Sequence, residues 1–305
     1  MTSLHGGLTV SPSGLARVHA SSRVMLDVVE QVRRLARSQV NVLFLGETGT
    51  GKALLARALH EESHRAHAPF VRVDCRDVHA DARDLFDDDA PGAPARAGGG
   101  TLFLDEVAEL PGPLQQSLLR WLDGRSSFGD MPVGAGEVRV VSASCRAIEA
   151  VASSAAFRQD LYFRLAVALV HVPPLRDRVE DLPRLANDLL AELGRPELLL
   201  SPETLVLLSA HLWPGNVREL KNALAAALAL ADGGTLEPRH FRSLGHEGAP
   251  SVLERLPLGG QRLEHLERAA IKQTLTQTRG NKVQAARTLG IAPSTLYEKL
   301  KRYGL

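Results

Sequence analysis

The sequence predicts an α/β domain on a mostly parallel sheet, then an all-helical subdomain, then a small all-α domain. Three observations carry that prediction. Strand-like apolar runs at 40–45, 70–75, 101–104, 138–144 and 168–172 alternate with helical stretches, as strand–helix–strand crossovers require. From Leu175 to about Arg242 the spacing turns wholly helical, with Leu182, Leu185, Leu189 and Leu190 in one run and Leu205, Leu207, Leu208 and Leu212 in another. After a Gly- and Pro-rich stretch, residues 261–305 read as three short helices separated by glycine turns. The expected divisions are a loose N-terminus at 1–14, the α/β unit at 15–175, the helical unit at 176–242, a linker at 243–260 and the terminal domain at 261–305.

With 305 residues, 44% of them hydrophobic, the chain can fill two or three cores. The net charge of +1 hides an asymmetry: residues 260–305 hold nine Lys or Arg against three Glu. Only two cysteines, Cys75 and Cys145, occur, without metal-ligand spacing, which fits a reducing compartment better than a disulfide scaffold. No apolar run reaches the roughly 18 residues of a membrane span, and residues 1–14 lack the build of a secretory signal. A cytoplasmic protein without membrane contact is expected.

In chain order, Val24, Leu26, Val28, Val32 and Leu35 fall near helical spacing and predict one helix over 15–38. The strand at 40–45 then feeds Gly46-Glu47-Thr48-Gly49-Thr50-Gly51-Lys52, which opens a second helix. That context is a phosphate cradle: glycines let backbone N–H groups converge on phosphate oxygens, the helix N-terminus adds its positive end, and Lys52 reaches the terminal phosphates. Ala53 offers no hydroxyl where a Ser or Thr would hold Mg²⁺, so a metal must lean on other groups. The strand at 101–104 ends in Asp105-Glu106. An acid at a strand tip can hold Mg²⁺, assigned to Asp105, and its neighbour Glu106 can orient or deprotonate an attacking water. Residues 114–122 read as an amphipathic helix between the strands at 101–104 and 138–144.

Arg158 and Arg164 flank Asp160-Leu161-Tyr162-Phe163 on one predicted helix. They either solubilise the surface or present cations to a neighbouring subunit's γ-phosphate. In the helical unit, Trp213-Pro214-Gly215-Asn216-Val217-Arg218-Glu219-Leu220 breaks the chain, with Asn216 as cap and Arg218 placed to fold onto bound phosphate, the behaviour of a lid. In the tail, helices are predicted at 263–275, 282–289 and 293–303, with Asn281 capping the second. Leu296, Leu300 and Tyr303 face inward on the last helix, while Ser294, Thr295, Glu298, Lys299, Lys301 and Arg302 face out; Lys282, Arg287 and Lys301 are candidates for phosphate contact. Double-stranded DNA is the partner this charge and turn chemistry suit, against a dimerisation hairpin whose charges are only solvated.

These residues together resemble the bacterial enhancer-binding proteins, the AAA+ activators of sigma-54 RNA polymerase with a Fis-type helix-turn-helix. The resemblance spans about 15–242 and 260–305, through the 46–52 loop, 99–109, 157–165, 172–182 and 213–220. It implies an AAA+ P-loop sheet with a helical lid, ATP with Mg²⁺, a ring that is commonly hexameric, and RNA polymerase holoenzyme as a partner. Arg158 and Arg164 match its trans-acting arginine fingers and Arg218 its sensor arginine. The regulatory domain many relatives carry in front is expected to be missing, with control coming from elsewhere.

This chain departs from the family in three places. Asp74 stands for an Asn that couples to the catalytic Glu, and Ser144-Cys145 for Thr-Asn at the sensor strand. An extra carboxylate is expected to repel Asp105 and Glu106, and a thiol to replace an amide poorly. Third, residues 87–98 are shorter than the family's insertion and lack its Gly-Ala-Phe-Thr-Gly-Ala tip, reading instead as a solvated connector. Two functions stay open: an ATPase motor that remodels a transcription complex, or a DNA-bound regulator that uses nucleotide only to assemble or switch.

Overall fold

The computed structural model describes residues 14–79, 82–86, 92–126, 138–145, 156–231, 233–245, 267, 271, 274, 282–291 and 293–303. It separates into Met1–Glu247 and Gly248–Leu305.

The first unit is organised by five parallel strands, β1 (Val42–Leu45), β2 (Phe70–Asp74), β3 (Thr101–Asp105), β4 (Arg139–Ser144) and β5 (Ala168–His171), in the order β2-β3-β4-β1-β5. Apolar residues on successive positions feed opposite faces: Leu43, Leu102 and Leu104 enter one core, Val42, Phe44 and Phe103 the other. Both faces are therefore covered, as a parallel sheet requires. Helices α1 (Arg23–Ala36) and α2 (Lys52–Glu61) pack on one side; α3 (Ala93–Ala97), α4 (Gly112–Ser126) and α5 (Gln159–Leu165) pack on the other. Because β4 lies between β1 and β3, the tips of all three meet at the carboxyl edge, where ligands of such sheets bind.

The single helix expected over 15–38 is divided. A 3-10 turn at Gly14–Arg17 ends before Ser22, which caps α1 by accepting the Met25 N–H at 3.3 Å. The buried Asp181 carboxylate takes the N–H groups of Ser21 and Ser22, holding Ser22 extended at φ −68° and ψ 146°. Those two tertiary bonds outcompete helix continuation. Arg158, expected inside a helix with Arg164, sits just before α5 as its extended cap residue.

The connector expected over 87–98 is partly a structured element. Residues 92–98 contain α3, whose Ala93, Pro94 and Ala97 are buried in the core cluster or against it; small side chains let this turn lie close to β2 and β3. Residues 87–91 lie outside the described residues.

The helical unit comprises α6 (Leu182–Glu192), α7 (Pro202–Ala210) and α8 (Asn216–Leu230), a two-stranded ribbon of Leu199–Leu200 with Thr235–Leu236, and a closing 3-10 segment, Pro238–Gly245, that runs into the predicted linker. Its core closes around Trp213, fully buried with φ 52° and its indole N–H donating to Leu208 O at 2.8 Å. In the C-terminal unit, α9 (Lys282–Thr288) and α10 (Pro293–Tyr303) are joined at Gly290, whose φ of 67° suits glycine. Ile271, Ala285, Ala286, Leu296 and Leu300 form its core. Of the helix expected at 263–275, Glu267, Ile271 and Thr274 are described and helical; the Asn281 cap lies outside the described residues.

Trp213→Ala should destabilise the chain by about 3–5 kcal/mol, the cost of emptying a closed aromatic site and orphaning a carbonyl. Urea denaturation followed by far-UV circular dichroism reads it, and a loss under about 1 kcal/mol would contradict this account of the lid core.

Candidate functional site

The loop between β1 and α2 is shaped by glycine. Gly51 caps α2 at φ 105°, and a Cβ on Gly49, at φ 81°, would lie 2.2 Å from the Gly215 carbonyl oxygen. The loop therefore takes only glycine where the lid comes closest. Lys52 is buried, its ammonium donating to Gly46 O at 2.7 Å and Glu47 O at 3.1 Å and lying 3.2 Å from Glu106 Oε1.

Glu106 sits beyond β3 with φ 53° and ψ 52°, a left-handed conformation that costs a side-chain-bearing residue about 1–3 kcal/mol. Its other oxygen accepts the Cys145 N–H at 2.7 Å. Burial raises the Glu106 pKa, but the Cys145 N–H, the Cys145 thiol and Lys52 outweigh it, so the net shift is downward and the carboxylate is ionised at neutral pH. The Cys145 thiol is pushed up by burial and then by Glu106, which keeps it protonated; it makes side-chain hydrogen bonds to Glu106 and Thr48. The backbone N–H of Cys145, more than its thiol, holds the Glu106 carboxylate, and the residue itself is exposed at the strand tip.

Asp105, expected to hold Mg²⁺, has its Oδ2 at 2.6 Å from Arg72 Nη2. Arg72 also lies 3.9 Å from Asp74, and Arg76 donates to both oxygens of Asp74. The hydrogen bond from Arg76 leads in lowering the Asp74 pKa, against burial. The expected repulsion is therefore corrected: the extra carboxylate arrives with two guanidiniums, and the cluster is balanced. Arg72 and Arg76 were missed by the motif reading, although the polar period-two pattern Arg72, Asp74, Arg76 along β2 and its exit pointed to one charged edge. Both acids are occupied in this arrangement: Asp105 is engaged by Arg72 and Glu106 by Lys52, while Ala53 brings no hydroxyl.

The lid is tied directly to the loop. Asn216, expected as a helix cap, is the first residue of α8 at φ 53° with Gly215 at the cap position. Its amide instead donates to Glu47 Oε2 at 3.1 Å and Thr48 O at 3.0 Å while its carbonyl accepts the Leu175 N–H at 2.7 Å. Val217 N–H donates to Gly49 O at 3.0 Å, Arg176 pairs with Glu47 at 2.8 Å, and buried Arg178 donates to Thr50 O at 2.7 Å. Between loop and lid lies a cleft of about 1050 Å³, with Leu185, Leu189 and Val217 among its apolar walls and Arg72, Arg76 and Arg218 among its cations. Of the sequence-predicted residues, Thr48, Gly49, Gly51, Lys52, Asp105, Glu106 and Arg218 line it. Gly46, Glu47 and Thr50 shape the loop behind it.

Arg158 and Arg164 do not line the cleft. They are about half exposed and pair with Asp160 at 2.7 Å and Asp123 at 2.8 Å. Burying neither, the fold leaves Arg158 exposed just before α5 and Arg164 exposed on its last turn.

In the C-terminal unit Ser294, Glu298 and Arg302 are exposed on α10 as expected, but Thr295 is half-buried, and Lys299 turns to pair with Glu267. Lys299 is half-buried, its ammonium tying α10 to Glu267 of the first helix of that unit. Lys282 is exposed, with its ammonium 5.3 Å from the ring of Tyr297, an exposed aromatic that the sequence reading did not single out. Side chains of Arg287 and Lys301 lie outside the described residues. Among the described residues, no helix is long and apolar enough to cross a membrane.

Comparison with known proteins agrees along the chain. Residues 18–171 match the sigma-54 interaction domain, 176–254 the AAA+ ATPase lid domain, and 262–303 the Fis family of bacterial regulatory proteins. The response regulator PilR of Pseudomonas aeruginosa is 36% identical over 312 residues, covering 95% of this chain and 70% of PilR. The transcriptional regulator NtrC of Escherichia coli is 36% identical over 326 residues, covering 92% and 69%. Among solved structures, NtrX from Brucella abortus in complex with ADP superposes with a TM-score of 0.66 at 27% identity, covering 97% of this chain and 69% of that one. NtrX in complex with ATP gives 0.64 at 28%, covering 95% and 69%. A glycine loop on a five-stranded parallel sheet, a lid bonded to it and a basic helix-turn-helix place the chain in the sigma-54 activator family, as a nucleotide- and DNA-binding transcriptional regulator.

Proposed function

We propose that this chain is a cytoplasmic ATP-binding, sequence-specific DNA-binding regulator that assembles as a ring, a hexamer, and hydrolyses ATP between subunits. The observation that carries the proposal is the loop-to-strand junction, where Lys52 and Glu106 meet at 3.2 Å with Arg218 of the lid on the same cleft. Lys52 would leave its loop carbonyls for the β and γ phosphates, drawn by their larger charge. That move frees Glu106 to orient the attacking water, while the Cys145 N–H keeps the carboxylate in place. Arg218, on the first turn of α8, would meet the phosphates from the lid side. The NtrX relatives bound to ADP and to ATP support an adenine nucleotide.

Surface placement of Arg158 and Arg164, outside their own chain's cleft, suits delivery to a neighbour's nucleotide. Lys52→Ala should abolish ATP binding, whereas Arg158→Ala and Arg164→Ala should keep binding and lose turnover, which in the parent chain should rise steeply with protein concentration. Nucleotide titration and phosphate release at several concentrations check this; turnover independent of concentration sinks the shared-site reading.

In the tail, Lys282, Arg287, Lys301 and Arg302 would contact phosphates of double-stranded DNA and Ser294, Thr295 and Glu298 would face bases, with α10 in the major groove. Removing 260–305 should eliminate duplex binding in gel-shift assays, and unchanged affinity would refute the assignment.

A second reading concerns the polymerase. The family's sigma-54 contact needs an apolar, mobile tip, and 87–98 holds neither Phe nor Thr, while α3 buries Ala93, Pro94 and Ala97. This supports a regulator or repressor that does not touch sigma-54, or that serves another polymerase form. Transcription in vitro with purified sigma-54 holoenzyme, ATP and promoter DNA carrying the chain's own site should then yield no open complexes. ATP-dependent open complexes would establish the motor reading instead.

A further inference from the structure

The proposed ATP site contains a cation on the acid that would otherwise hold a metal. Arg72 is on β2, next to β3, and the parallel register sets Asp74 beside Asp105. Its guanidinium reaches Asp105 Oδ2 at 2.6 Å and stays half exposed on the cleft wall. A guanidinium has five donors in a planar fork, and this contact uses one edge of it, leaving others for a phosphate. Arg76 holds Asp74 bidentately, so Asp74 does not compete for Arg72 at close range: the Arg72–Asp74 distance is 3.9 Å. Beside them, Ala53 has no hydroxyl and Glu106 is shared by Lys52 and Cys145 N–H.

We propose that Arg72 takes the place of the divalent cation: fixed on Asp105, it presents positive charge to the terminal phosphates, and the cleft accepts metal-free nucleoside di- and triphosphates. A magnesium ion brought in with the nucleotide would meet a guanidinium on the carboxylate it needs, and like charges at that range repel. A fixed cation costs no ion-binding step and adds directional hydrogen bonds to the charge. The inference rests on the nucleotide-site reading above, and deepens it.

The test measures the affinity of the full chain for a fluorescent ATP analogue and for ADP, in Mg²⁺ and in excess EDTA. It compares the parent, Arg72→Ala and Arg72→Lys, with folding of each checked by circular dichroism. The parent should change less than about threefold between the two conditions, taking tenfold as the mark of a lost interaction of about 1.4 kcal/mol. Arg72→Ala should lose at least about tenfold in EDTA and recover in Mg²⁺, and Arg72→Lys should retain metal-free binding. Parent binding that needs Mg²⁺ overturns the role of Arg72 while leaving the nucleotide site standing. Equal EDTA affinities for the parent and Arg72→Ala also overturn it. No nucleotide binding under either condition overturns both readings.

Discussion

The Glu106 carboxylate is the interaction on which the site depends. One oxygen lies 3.2 Å from the Lys52 ammonium and the other accepts the Cys145 N–H at 2.7 Å, so three sheet elements are joined through one side chain. The β1–β4–β3 order makes this possible, because the residue after β3 can reach the tip of β4 and the loop leaving β1 together. The left-handed backbone of Glu106 is the strain that aims it there. A residue without that turn would continue the strand direction and miss both partners.

Much of this was legible in the sequence because the fold is written in periodicities. All five strands fall where the apolar runs predict, and the glycines of 46–51 announce a backbone that no other residue could follow between β1 and α2. The tertiary competitions were not legible. Nothing local to residues 18–22 says that Asp181 will take the Ser21 and Ser22 amides and end a helix. Asn216 has the composition of a cap, and its actual bonds go to Glu47 and Thr48, far away in the chain.

Charge was the least legible property of the site. Asp74 read alone is an excess carboxylate, but Arg72 and Arg76 neutralise it from positions two residues either side, which a strand and its exit bring to one edge. In the tail, Lys299 read alone faces out, yet Glu267 on the first helix of that unit pairs with it. Both cases have one cause: a side chain's partner is set by register and packing, and a motif records only the residue type.

The bonds between loop and lid have a consequence of their own. Apart from the Arg176–Glu47 pair, they are backbone amides, an Asn side chain and a buried guanidinium on a carbonyl, none depending on two opposed ions in water. DNA contacts of a basic helix, by contrast, draw much of their strength from releasing counterions and fade steeply as ionic strength rises. Salt therefore acts unequally on the two units of this protein, weakening the DNA contacts of the tail long before it weakens the bonds that tie the lid to the glycine loop.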